Sequence, residues 1–76
     1  MIRELDTVVL RRDVDDHNLR QGDIEAVVHC YQDNNTFEVE FVKGTGETVA
    51  LLTLTHNDIR LMDQDEILHV RGLAAA

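Results

Sequence analysis

Phe37, Val39 and Phe41 alternate with Glu38 and Glu40, the two-residue rhythm of a strand with one buried face. A slip of one residue would bury two carboxylates, so the register of this strand is firmly specified. Just upstream, Gly22 and Asp23 lead into the apolar, largely β-branched stretch from Ile24 to Tyr31, and Asp33-Asn34-Asn35 separates the two runs. Asn and Asp tolerate left-handed backbone and bond their own main chain, which suits a hairpin connection. Two adjacent antiparallel strands at the centre of a small β-barrel are expected.

Alternation in the first of these strands places Ile24, Ala26, Val28 and Cys30 inward and Glu25, Val27, His29 and Tyr31 outward. An earlier strand is expected over residues 5–10, followed by a long polar loop over 11–21 that Val14 and Leu19 anchor against the barrel. Lys43, Gly44, Thr45, Gly46 and Glu47 read as a second hairpin. The next strand, residues 48–54, carries Val49, Ala50, Leu51, Leu52 and Leu54, too apolar for a strand with one wet face. One face is expected to fill the barrel and the other to meet another segment or subunit.

Residues 55–58 read as a 3₁₀ turn before a short fifth strand, with a helix over 57–69 as the competing reading because Ile59, Met62 and Leu68 are roughly helix-spaced. Residues 66–71 read as an additional short C-terminal strand whose Ile67, Leu68 and Val70 close the barrel's own edge or pair with a neighbouring copy. With no proline and no low-complexity stretch, residues 1–71 form one domain. Residues 72–76 resemble a vector-derived tail.

A chain of 76 residues buries only roughly 60% of its unfolded surface, which argues against a deep enzymatic cleft. Its hydrophobic share of 43% against 29% charged excludes the composition of a disordered segment. The net charge of −8, with Lys43 as the single lysine, opposes the counterion release on which nucleic-acid binding depends. The alternative, an RNA- or ribosome-associated barrel, would use Arg11, Arg12 and Arg20 as phosphate contacts. The lone Cys30 allows no intrachain disulfide and no cysteine zinc site. Since no run of about 18 apolar residues exists, a cytoplasmic location away from membranes is expected.

His17, His29, His56 and His69 lack the spacing that presents two metal ligands from one element. His29 and Cys30 are successive strand residues pointing to opposite faces, so they cannot pair as base and nucleophile. Glu38 and Glu40 share a face but no cleft, where an interaction surface fits better than acid–base work. Neither the Asp33 turn nor the Gly44–Gly46 turn has the residues of a calcium or phosphate loop. No catalytic residue, cofactor or metal is therefore expected. Glu25, Val27, Tyr31, Glu38, Glu40, Val49 and Leu51 form the expected interaction surface, with Ile67, Leu68 and Val70 as an oligomer strand.

Glu4 to Leu10, Gly22-Asp23 with Val27-Val28, Glu38 to Phe41, Gly46 to Ala50, and Ile67 to Arg71 together resemble an SH3-like, five-stranded barrel. More closely, they are similar to a small bacterial family of KOW-like form catalogued only as a domain of unknown function. KOW-type barrels carry a glycine where Glu25 stands here, which further disfavours close approach by nucleic acid. The resemblance implies fold and no activity. The function expected is a non-enzymatic protein-interaction module that self-associates or binds a basic protein, in the manner of an antitoxin facing its toxin.

Overall fold

The computed structural model describes residues 1–73. Five strands, β1 (Thr7–Leu10), β2 (Ile24–Cys30), β3 (Thr36–Val42), β4 (Thr48–Thr55) and β5 (Ile59–Leu61), form one antiparallel sheet in the order β4-β3-β2-β1-β5. The described residues are all-β apart from one short 3₁₀ helix at Asp15–His17. Consecutive hairpins lay β2, β3 and β4 side by side. β5 then returns to the far edge and pairs with β1, Leu10 opposite Ile59.

One apolar cluster holds the sheet together. Val8, Leu10, Val27, Phe37, Val39, Phe41, Ala50, Leu54 and Ile59 meet in it, joined by Ile2 and Leu19 from outside the strands. Both edge strands feed this cluster, so the sheet wraps around it although no ladder joins β4 to β5 among the described residues. The alternation in β3 is realised as read: Phe37, Val39 and Phe41 are buried and the two glutamates are not. Val14 and Leu19 form an isolated bridge that pins the first loop, with Leu19 buried and Val14 packed on the core. Both hairpins use the expected turn residues. Asp33 accepts the main-chain N–H groups of Asn35 and Thr36 at 2.9 Å each, and Asn34 and Gly46 take left-handed φ values of 58° and 90°.

β2 departs from the expected facing at Val27 and Val28. Val27 is fully buried opposite Val39, whereas Val28 is exposed. The cause is a bulge: the register steps from Val27↔Val39 to His29↔Glu38, leaving Val28 without an opposite residue. An extra residue shifts the parity of the strand, so Val27 and Cys30, three apart, both face the core. Val27 is therefore a core residue and not part of an interaction surface.

Three further expectations are corrected. β1 begins at Thr7, because a turn at residues 4–5 puts Leu5 at φ 71° with its side chain 82% exposed. Residues 55–58 close one i→i+3 hydrogen bond, Asp58 N–H donating to the Thr55 carbonyl at 2.8 Å, the bond of the single 3₁₀ turn expected there. No helix follows over 57–69, since Ile59 is drawn into the core by pairing with β1. Nor do residues 66–71 form a strand. They are held instead by side chains: Arg60 grips Glu66 bidentately at 2.9 and 2.7 Å, and Arg71 grips Asp23. Leu73, within the stretch read as a vector-derived tail, packs against the core; residues 74–76 of that stretch lie outside the described residues. No helix of the described residues is long and apolar enough to cross a membrane.

The bulge makes adjacent valines unequal. Val27→Thr, which buries a hydroxyl, is expected to cost about 1–3 kcal/mol, and Val28→Thr less than about 0.5 kcal/mol, read from urea midpoints. Leu5→Gly should raise the melting temperature, since relief of a left-handed leucine is worth about 1 kcal/mol.

Candidate interaction surfaces

β4 is the longest strand and lies at the edge of the sheet. It contains no charged residue and no proline, whereas edge strands are ordinarily blunted by such residues. β3 satisfies one side of it from Thr36↔Thr55 to Val42↔Thr48. On its other side, backbone bonding among the described residues is confined to its last residue, where Thr55 meets Asp58. Leu51 points outward opposite Glu40 and is 56% exposed. Val49 does not join it. The register skips from Phe41↔Ala50 to Val42↔Thr48, and Val49 turns onto the core.

The outer face of β3 carries Glu38 and Glu40, each held by hydroxyl donors and not by cations. Tyr31 Oη donates to Glu38 Oε1 at 3.2 Å, the Thr53 hydroxyl donates to the same oxygen, and Thr48 Oγ1 donates to Glu40 Oε2 at 2.6 Å. Neutral donors leave the negative charge uncompensated. Partial desolvation, then the Glu38 charge, pushes the Tyr31 hydroxyl pKa up and keeps it a donor. Tyr31 also stands edge-on to His29 at 4.8 Å between ring centroids. Glu25 is set apart, because its Oε2 accepts the Val42 N–H at 3.0 Å across the β2–β3 ladder. Tyr31, Glu38, Glu40 and Leu51 therefore come together, while Val27 and Val49 are withdrawn into the interior and Glu25 serves the strand edge.

His29 is exposed, and the Cys30 thiol turns toward the core, its pKa raised by burial and by Glu4 and Asp6. The arginines read as a phosphate contact are engaged inside the chain. Arg12 Nε meets Asp58 at 2.6 Å, Arg11 Nη1 donates to the His56 carbonyl at 2.9 Å, and Arg20 meets Asp15 at 3.0 Å. Burial would raise the Asp58 pKa, but the Thr55 N–H and Arg12 more than offset it and hold the carboxyl below its usual range.

A groove of about 510 Å³ opens where β2, β3 and the C-terminal segment meet, floored by Leu19, Ile24, Phe41 and Val49 and walled by Val70 and Leu73. Arg71 lies at its rim. Its Nε and Nη2 donate to the two Asp23 oxygens at 2.7 and 2.6 Å, and Nη2 also donates to the Asn18 carbonyl at 2.9 Å. Asn18, at φ 58°, donates from Nδ2 to the Leu73 carbonyl. Burial acts to raise the Asp23 pKa; Arg71 and the Arg20 N–H outweigh it and lower the value. Between the Arg60–Glu66 and Arg71–Asp23 pairs, Ile67, Leu68 and Val70 are 81%, 70% and 88% exposed. Among the described residues, 67–70 make no hydrogen bond. Asp23, Asn18 and Arg71 had no signal as a site in the sequence beyond Gly22-Asp23 marking a turn.

These carboxylates set the pH dependence of stability. The Glu66 pKa falls from 4.5 to about 2, first through its Arg60 hydrogen bonds and then through the Asp63 N–H. Groups with lowered folded pKa values stabilise above their unfolded pKa and lose that contribution as pH falls through the folded one. The melting temperature should be flat near neutrality and drop between about pH 5 and about pH 2, and Glu66→Gln should flatten part of that drop.

Neither the search of curated proteins nor the search of solved structures returned a match. A family model described as a domain of unknown function, DUF4926, matches residues 4–61, a span that holds all five strands and stops at the last residue of β5. On that match over most of its length, the chain belongs to the DUF4926 family.

Proposed function

We propose that the chain is a non-enzymatic interaction module that self-associates along the free edge of β4. The observation that carries this reading is an eight-residue edge strand without charge or proline, with Leu51 standing outward beside it. Two copies meeting antiparallel about a two-fold axis would complete each other's unused backbone groups and continue the sheet. Charge supports the placement. Copies with a net charge of −8 repel one another, and β4 is the long strand that brings no carboxylate of its own to the contact.

The outer face of Glu38 and Glu40, supported by hydroxyls alone, suits a basic protein as a second partner. Pairing of Arg12 and Arg20 with carboxylates favours protein over phosphate. The two contacts respond oppositely to salt. Self-association should strengthen as added salt screens like charge, while binding of a basic partner should weaken.

Leu51→Glu tests the β4 placement. A two-fold contact carries the substitution twice, so dimer affinity should fall on the order of a hundredfold, seen by light scattering as a shift to the monomer mass with a β-rich circular-dichroism spectrum retained. A molar mass identical to that of the parent chain at every concentration rejects the placement.

A further inference from the structure

We infer that the C-terminal segment is exchangeable between copies: the site formed by Asp23, Asn18 and the apolar groove takes Arg71 and Leu73 of a second copy in place of its own. This deepens the self-association proposed above and rests on that reading, but it uses a different part of the molecule.

Three observations point to it. The segment's far end is bound by a compact set of contacts, the Arg71 fork on Asp23, the Arg71 bond to the Asn18 carbonyl, the Asn18 bond to the Leu73 carbonyl and the packing of Leu73. Its near end is fixed to its own sheet by Arg60 and Glu66. Between these anchors, residues 67–70 make no hydrogen bond among the described residues and expose Ile67, Leu68 and Val70. An apolar stretch held open between two anchors is the form of a hinge whose best cover is missing.

Exchange recreates every far-end contact in trans, because the second copy offers the same carboxylate, the same left-handed asparagine and the same groove. Charge complementarity between Arg71 and Asp23 is preserved in the process. What is new is the hinge. Four extended residues reach about 13 Å, and a two-fold arrangement lays the two stretches antiparallel, where Ile67, Leu68 and Val70 of one face those of the other. The closed monomer is favoured at low concentration because its tail acts at an effective concentration on the order of millimolar. The hinge contact is what draws the equilibrium toward exchange, a low-cost route to dimers.

The test uses two full-length variants, Asp23→Arg and Arg71→Asp, each of which opposes like charges in its own closed form. In an exchanged heterodimer, the guanidinium that Asp23→Arg places in one chain meets the carboxylate that Arg71→Asp places in the other. The unaltered Asp23 and Arg71 of the two chains meet likewise, so both pairs are restored. The expected result is that each variant alone associates no more than the unaltered chain does through β4, while an equimolar mixture gives heterodimer in excess of the statistical proportion by native mass spectrometry. A mixture with no excess of heterodimer, with both spectra β-rich, overturns the proposal. The double variant, with its pair restored in cis, is the folding control. Should either single variant lose its β-rich spectrum, the chain carrying N18C, L73C and C30S is oxidised instead. Cross-linked dimers that increase with concentration support exchange, and intrachain bonds alone up to about 1 mM overturn it. Repeating the mixture with Leu51→Glu in both chains separates the two contacts. Persistence of the heterodimer places the exchange apart from β4, and its loss there overturns that placement.

Discussion

Val27 facing Val39 across the β2–β3 ladder, with Phe37 and Phe41 on either side along β3, is the contact on which the rest of the structure depends. It sets which face of the central hairpin is dry, and hydrophobic burial is the dominant favourable term available to so small a chain. Val8 and Leu10 of β1, Ala50 and Leu54 of β4 and Ile59 of β5 are all recruited to that same side. Once it is fixed, Glu38, Glu40, Thr53 and Leu51 have only the outer face left.

The charges then sort themselves by distance from the loops. Arg12, Arg20, Lys43, Arg60 and Arg71 each find a carboxylate within the chain, at turns and ends that these pairs tie down. Among the acids left without a cation, Glu38 and Glu40 stand together on the outer face of β3, supported by hydroxyl groups. Exposed pairs of this kind add little to stability one at a time. Their larger consequence is to neutralise those basic groups where they sit, which leaves Glu38 and Glu40 as uncompensated charge beside the neutral β4 edge.

The C-terminal segment obeys a different logic from the sheet. It begins where the family match ends, adds no strand, and is attached through side chains at two points. A strand in its place would have lost its exposed leucine, isoleucine and valine to a ladder. Here they stay outside, and Leu73, at the wall of the groove, is the residue of the segment that packs against the core.

Much of the fold was legible in local pattern. The alternation of Phe37, Glu38, Val39, Glu40 and Phe41, the Asp33–Asn35 turn, the glycine hairpin, the Val14 and Leu19 anchors and the outward Leu51 each follow from period, turn chemistry or apolar excess within a few residues. Strand order was less so. Three matters were decided only by tertiary structure: the bulge at Val28 that turned Val27 inward, the skip at Val49 that withdrew it from the surface, and the Arg71–Asp23 contact across 48 positions of sequence. The physical reason is common to all three. A sequence states what each residue prefers within its own turn of chain, whereas parity after a bulge and the partner of a distant charge depend on how strands pair around one finite core. By itself the sequence determined an acidic, all-β chain with a neutral fourth strand; packing decided which of its valines are core and where its tail is held.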